Sequence, residues 1–247
     1  MLFLAQRTGD RDMDADTVAE ALGDLPLALE QAAAYVDNMQ ISLAGYRHRL
    51  ASQAPALFEQ ERPPDYEDTV ATTWELAFAE LEQDPGSAAV LFCCAFLAPD
   101  QIPRWLFVSE AIANGVFASA NGDLALDDAL KRIVAFSLVI ADESYLTMHR
   151  LVQHLIRSRL GDQQQYWLAI GEQLVGETFP AAGDDHREWP ACERLLPHAL
   201  AVTDWARQAG AEGPRTAKLL TSVGLYLFGR AEFAAAKELY QRRAADL

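Results

Sequence analysis

One break in an otherwise helical period constrains this chain most. Apolar side chains recur every three or four positions, as in Tyr66, Val70, Trp74, Ala77, Phe78 and Leu81. That spacing lines one face of a helix. Between Ser137 and Met148 the period changes. Ser137-Leu138-Val139-Ile140, the polar Asp142-Glu143-Ser144 and Tyr145-Leu146-Thr147-Met148 read as a β-hairpin. His149 to Leu160 returns to helical spacing through Leu151, Leu155, Ile156 and Leu160. Alanine is abundant and β-branched runs are short, which favours helix further. The expected class is mainly α with one small β-hairpin.

The other elements follow from the same pattern. Val18 and Leu22, then Leu29, Ala33 and Val36, predict two helices over 14–38 that meet at Pro26. Proline suits a helix start, where its missing N–H costs nothing. A short helix over 42–52 with Ser42 as its cap comes next. Pro55 and the stretch Glu59 to Asp65 predict a linker. The Tyr66 helix ends at Asp84-Pro85-Gly86, and Ser87 to Leu97 reads as a buried helix. Ile102-Pro103 is expected to open another, with Trp105, Leu106 and Val108; 114–123 reads as a loop. Leu126, Ala129, Leu130, Ile133 and Val134 predict the helix before the hairpin. Helices, a hairpin, then a helix is the layout of a winged-helix domain.

Residues 163–210 read as helical with a break at Phe179 to Asp185. Leu219 to Leu247 reads as a helix, a turn at Gly229-Arg230-Ala231 and a second helix. This looks like one tetratricopeptide (TPR) repeat, with Gly224, Phe233, Ala236 and Tyr240 at alternately small and large positions. Ala231 and Arg243 depart from it, where glycine and a small residue are usual.

The net charge of −16 opposes nucleic-acid binding, whose non-specific part rests on Lys/Arg–phosphate contacts. The expected recognition helix of the winged domain, Leu126–Ala135, offers only Lys131 and Arg132 beside Asp127 and Asp128. No stretch of ~20 apolar residues is present, and Met1-Leu2-Phe3-Leu4 is too short for a signal peptide. A cytoplasmic protein is expected, with neither nucleic-acid nor membrane partners. Cys93, Cys94 and Cys192 form no disulfide framework and read as small buried hydrophobes. His48, His149, His154, His186 and His198 have no metal-ligand spacing. Neither a nucleophile elbow nor a Gly-x-x-x-x-Gly-Lys-Ser/Thr phosphate loop occurs. Leu138-Val139-Ile140-Ala141-Asp142-Glu143 imitates a Walker B strand, but a hairpin turn explains its acids better.

Two separated segments carry a resemblance. Leu22-Gly23-Asp24-Leu25-Pro26-Leu27-Ala28-Leu29 is preceded by Arg7-Thr8-Gly9 and followed by Glu30 to Tyr35; Thr147-Met148-His149-Arg150-Leu151-Val152-Gln153 lies further on. Together they resemble the second half of a STAND-class signalling NTPase of the bacterial NB-ARC kind. Asp24 replaces the usual glycine and Arg150 the usual aspartate. The resemblance implies a helical lid over 1–58, a winged helix over 66–161, a helical linker over 163–212 and a TPR-like repeat over 216–247. It implies that Leu25 and Pro26 pack on adenine and His149 approaches phosphate in an intact parent, with ADP or ATP and Mg. Trp189, Leu195 and Leu196 fall in the link between winged helix and repeats, as packing residues. The chain itself is expected to be non-catalytic, without metal or cofactor, cut at both ends, and to meet proteins or peptides through its repeats, with self-association a further option. The competing reading is a stand-alone acidic interaction scaffold; a DNA-binding winged helix ranks below both.

Overall fold

A computed structural model describes residues 4, 8, 14–22, 26–57, 68–108, 122–181 and 185–245. The chain divides into two compact units: Met1–Ala88 with Lys131–Val139, and Ala89–Leu130 with Ile140–Leu247. The fold is mainly helical with one three-stranded sheet. The helices are α1 (Asp14–Ala21), α2 (Pro26–Met39), α3 (Leu43–Leu57), α4 (Asp68–Leu81), α5 (Pro85–Cys94), α6 (Gly122–Ala135), α7 (Arg150–Leu160), α8 (Gln164–Thr178), α9 (Trp189–Gln208), α10 (Pro214–Gly229) and α11 (Phe233–Ala245). The strands are β1 (Ile102–Pro103), β2 (Ile140–Ala141) and β3 (Tyr145–Thr147).

In the first unit α3 packs on α1 and α4, and α2 on α3 and α4. Trp74, Tyr35, Tyr46 and Phe78 are buried. The Tyr35 ring lies 5.6 Å from that of Tyr46 and 5.9 Å from that of Phe136. Ser42 caps α3 as expected, its Oγ accepting the Gly45 N–H at 3.1 Å. The helix continues past 52 to Leu57, through Pro55. A proline in the last turn removes one backbone bond without ending the helix there. Asp84 both follows α4 and starts α5: its Oδ2 accepts the Ser87 N–H at 2.9 Å, and Pro85 takes the first helical position. Tyr66, 58–65 of the expected linker and the 114–121 part of the expected loop lie outside the described residues.

Two expectations need correction. Ile102-Pro103 opens no helix; it is β1, paired antiparallel with β3 through Ile102–Leu146 and Pro103–Tyr145. A residue before proline is pushed out of the helical region, so Ile102 extends. Proline lacks a ladder donor and therefore sits on an edge strand. A 3-10 turn, Arg104–Val108, follows. The hairpin is present, but β2 begins at Ile140 rather than Ser137. The N–H groups of Phe136, Ser137 and Leu138 bond back to Arg132, Val134 and Ile133 carbonyls, with Ser137 at φ 52°. Those donors finish α6 and cannot enter a ladder.

In the second unit the sheet order is β1-β3-β2, antiparallel throughout. Asp142 makes the hairpin turn: its Oδ1 accepts the N–H of Ser144 at 2.7 Å and of Tyr145 at 2.8 Å. Those two bonds hold its carboxyl below the ordinary range. Helices α8, α9 and α10 pack mutually, and α11 folds back on α10. Gly224 on α10 makes that return possible. A Cβ there would meet the Tyr240 ring at 2.8 Å, closer than carbon atoms pack. Ala231 turns the chain between the two helices at φ 62°.

Candidate functional site

His149 stands where β3 gives way to α7. Met148 is buried and its N–H donates to the Pro99 carbonyl at 2.9 Å. This fixes the chain just before the helix. His149 is extended, at φ −61° and ψ 135°, and its Nδ1 accepts the Leu151 N–H at 3.2 Å. The histidine is thus the helix cap, a task normally given to Ser, Thr, Asp or Asn. An accepting Nδ1 puts the ring proton on Nε2. The exposed ring therefore offers an outward Nε2–H donor at the positive end of an 11-residue helix.

The helix behind it is anchored by two side chains one turn apart. Gln153 is buried, and its Nε2 donates to the carbonyls of Cys94 at 2.8 Å and Leu97 at 3.0 Å. Arg157 Nη1 donates to the Ala95 carbonyl. These carbonyls lie at the C-terminal end of α5 and just beyond it, where a helix leaves acceptors unpaired and carries partial negative charge. The Arg157 guanidinium also lies over the Trp205 ring, 4.0 Å from its centre. Burial pulls the Arg157 pKa down to about 10. Spacing of four places Gln153 and Arg157 on one face of α7, so the α5 end receives both an amide and a cation.

Sequence reasoning missed Gln153 as an anchor. The available signal is that Gln153, Ile156 and Leu160 share one helical stripe, which puts an amide on a buried face. Gln31 repeats the pattern in the first unit, on the Ala28, Ala32, Tyr35 face of α2. It is buried and donates to the Ser137 carbonyl.

Pro26 is the first residue of α2 and is exposed. Ala28, Leu29, Ala32 and Ala33 behind it are buried. Leu25, with Gly23 and Asp24, lies outside the described residues. Pro26 belongs to the first unit and His149 to the second, so each is placed by its own surroundings.

His198 is a core histidine, its Nε2 donating to the Gln101 carbonyl at 3.1 Å. Burial lowers its pKa, against a smaller opposing effect of that hydrogen bond. Of the three segment residues expected to pack, Leu195 is buried, while Trp189 and Leu196 are half-buried. Cys93, Cys94 and Cys192 are buried free thiols, and burial pushes all three pKa values up. Among the described residues no three His, Cys, Asp or Glu side chains gather as a metal site. No described helix is long and apolar enough to cross a membrane.

A family model described as a domain of unknown function (DUF7779) matches residues 76–165. That span holds the sheet, α5, α6, α7 and the His149 cap. The chain is also similar to a "Nucleotide-binding leucine-rich repeat (NLR)-like protein" of Hyaloscypha variabilis. The two are 26% identical over 243 residues, covering 93% of this chain and 23% of that protein. The chain thus spans about a quarter of the length of this relative. No solved structure matches.

Proposed function

We propose that this chain is the regulatory part of a nucleotide-dependent signalling switch. The observation that carries this reading is the likeness, over 93% of the chain, to a protein named as a nucleotide-binding NLR-like protein. Three features of the fold support it. The strand order β1-β3-β2, with α5, α6 and α7 alternating with the strands along the chain, suits a winged helix. The close approach at Gly224 and Tyr240 suits a TPR-like helix pair. The His149 cap suits a phosphate contact, since Nδ1 is occupied and Nε2–H is presented outward.

In this reading the intact protein binds ADP or ATP with Mg, which supplies charge neutralisation on the phosphates. His149 donates through Nε2 to a phosphate oxygen, and Gln153 and Arg157 keep its helix in place. Leu25 and the exposed Pro26 form the apolar wall for the base. Residues 1–58 serve as the lid, 66–161 as the winged helix, 163–212 as the link and 216–247 as the first repeat of the sensing end. The chain's own sequence has no phosphate loop, so by itself it hydrolyses nothing and acts through protein contacts in the cytoplasm.

Two measurements test this. Titrating the 247-residue chain with fluorescent ADP should give weak binding or none; low-micromolar affinity contradicts the division of labour. In the phosphate-loop-containing parent, His149→Ala should speed ADP release. An unchanged release rate removes His149 from the site.

A further inference from the structure

His149 is bracketed by two segments, and one helix holds both. Ahead of it, the Pro99 carbonyl accepts the Met148 N–H at 2.9 Å. Gln101 turns the chain at φ 54° and leads into β1, which pairs with β3 just before Met148. Behind His149 lies α7, with Arg157 two turns on. Helix α9 reaches each segment with one side chain. His198 holds the 99–101 segment through the Gln101 carbonyl at 3.1 Å. Trp205 holds α7, its ring centre 4.0 Å from the Arg157 guanidinium. His198, Val202 and Trp205 are spaced by four and three residues, so they share one face of α9.

Beside that face, α9 meets α11. Asp204 Oδ1 accepts an N–H of Arg242 at 3.0 Å, and the Thr203 carbonyl accepts another at 3.2 Å. The Arg242 side chain is only 16% exposed, so salt screens this joint little. Asp204 also has an alternative. Arg207, three residues on along α9, lies 3.5 Å from the same carboxylate oxygen. The carboxylate therefore keeps a cation if Arg242 withdraws. The joint has two states, one tied to α11 and one closed within α9.

We propose that α9 couples α11 to the His149 cap. Arg242 fixes the C-terminal end of α9, and His198 and Trp205 are positioning residues that pass this placement to the segments flanking the histidine. Loss of the Arg242 joint lets Trp205 shift against Arg157, and α7 loosens with it. The coupling supplies regulation for the nucleotide reading above and rests on that reading for its purpose. Its test needs no nucleotide. Neighbouring contacts alone do not establish coupling, so the measurement is a double-mutant cycle.

The test uses the 247-residue chain labelled with nitrogen-15. Two readouts report on the cap: the His149 ring nitrogen shifts and the exchange rates of α7 amides, Leu151 to Arg157. Above about pH 7.5, where an ordinary histidine is neutral, the parent should show His149 as the Nε2–H tautomer. Arg242→Gln should mix in the other tautomer and speed α7 exchange about threefold or more. Arg242→Lys keeps a cation for Asp204 and should recover most of the protection. Trp205→Leu should speed α7 exchange by itself and reduce the further effect of Arg242→Gln to under about twofold. Amides of α2, in the first unit, should not respond. Unchanged His149 shifts and α7 exchange in Arg242→Gln overturn the proposal. So does an undiminished Arg242→Gln effect in the Trp205→Leu background, or equal acceleration of α8 and α10, which marks general loosening. Arg242 lies off the His198–Trp205 face, so its two variants decide the matter even if Trp205→Leu does not fold. An unresponsive cap removes the coupling alone; an unchanged ADP release rate in His149→Ala of the parent removes the nucleotide reading and leaves the measured coupling in place.

Discussion

Replacing Gln153 by leucine tests the anchoring of the His149 helix. The two side chains are close in volume, so the change opens little cavity. It does remove both donors from the Cys94 and Leu97 carbonyls. A hydrogen bond contributes about 0.5–1.5 kcal/mol net, and a buried acceptor left unpaired costs about 1–3 kcal/mol. The Cys94 carbonyl keeps the Leu97 N–H at 3.3 Å, so one lost bond there and one unpaired acceptor at Leu97 together put the loss at about 2–4 kcal/mol. Urea unfolding followed by tryptophan fluorescence is the assay. Trp105, Trp167, Trp189 and Trp205 all lie in the second unit, and only Trp74 in the first. With a slope of about 2 kcal/mol per molar, the midpoint should fall by about 1–2 M. Gln153→Glu refines the test. An ionised carboxylate facing two carbonyls cannot donate, so neutral pH should show at least the leucine loss. Acidification should recover part of it, because a protonated carboxyl donates once. A midpoint within about 0.3 M of the parent for both variants would refute the anchoring argument.

Two further predictions rest on other observations. Ala231 holds φ 62°, a region that costs an L residue about 1–2 kcal/mol but not glycine; allowing for the flexibility of the unfolded glycine, Ala231→Gly should stabilise the chain by about 0.5–1 kcal/mol in the same unfolding assay, and any loss contradicts the strained turn. His198 has its pKa lowered by burial, so below the ordinary histidine value of about 6.5 the unfolded chain takes up a proton that the folded one refuses. Stability of the second unit should therefore fall as pH drops from about 6.5 toward the lowered value. Glu172, raised chiefly by burial, acts oppositely, favouring the fold as acid protonates it. The comparison is thus with His198→Gln, which keeps a donor for Gln101 and should flatten the slope; an unchanged slope removes His198 as its source.

Much of the helical layout was legible because burial and period coincide. Trp74, Phe78 and Leu81 are spaced for one face of α4 and are buried there. The hairpin was legible from its polar turn, and Asp142 does make that turn. What escaped was decided by backbone donors. β1 looked like a helix start, because a proline near a helix start and a proline on a strand edge are alike in composition. Only the effect of Pro103 on Ile102 separates them. The start of β2 moved because α6 claims the N–H groups of 136–138. At the candidate site the motif pointed to His149 but not to what holds it. The partners of Gln153 and Arg157 lie more than 50 residues earlier, and nothing local in the sequence names them. Leu25 and Asp24 lie outside the described residues, so the base-facing segment is visible only from Pro26 onward.

Reading the gene on both sides of these 247 codons tests the central claim most directly. The account predicts an in-frame Gly-x-x-x-x-Gly-Lys-Ser/Thr loop encoded ahead of Met1, with further helical repeats encoded after Leu247. In-frame stop codons immediately before Met1 and after Leu247 would contradict it.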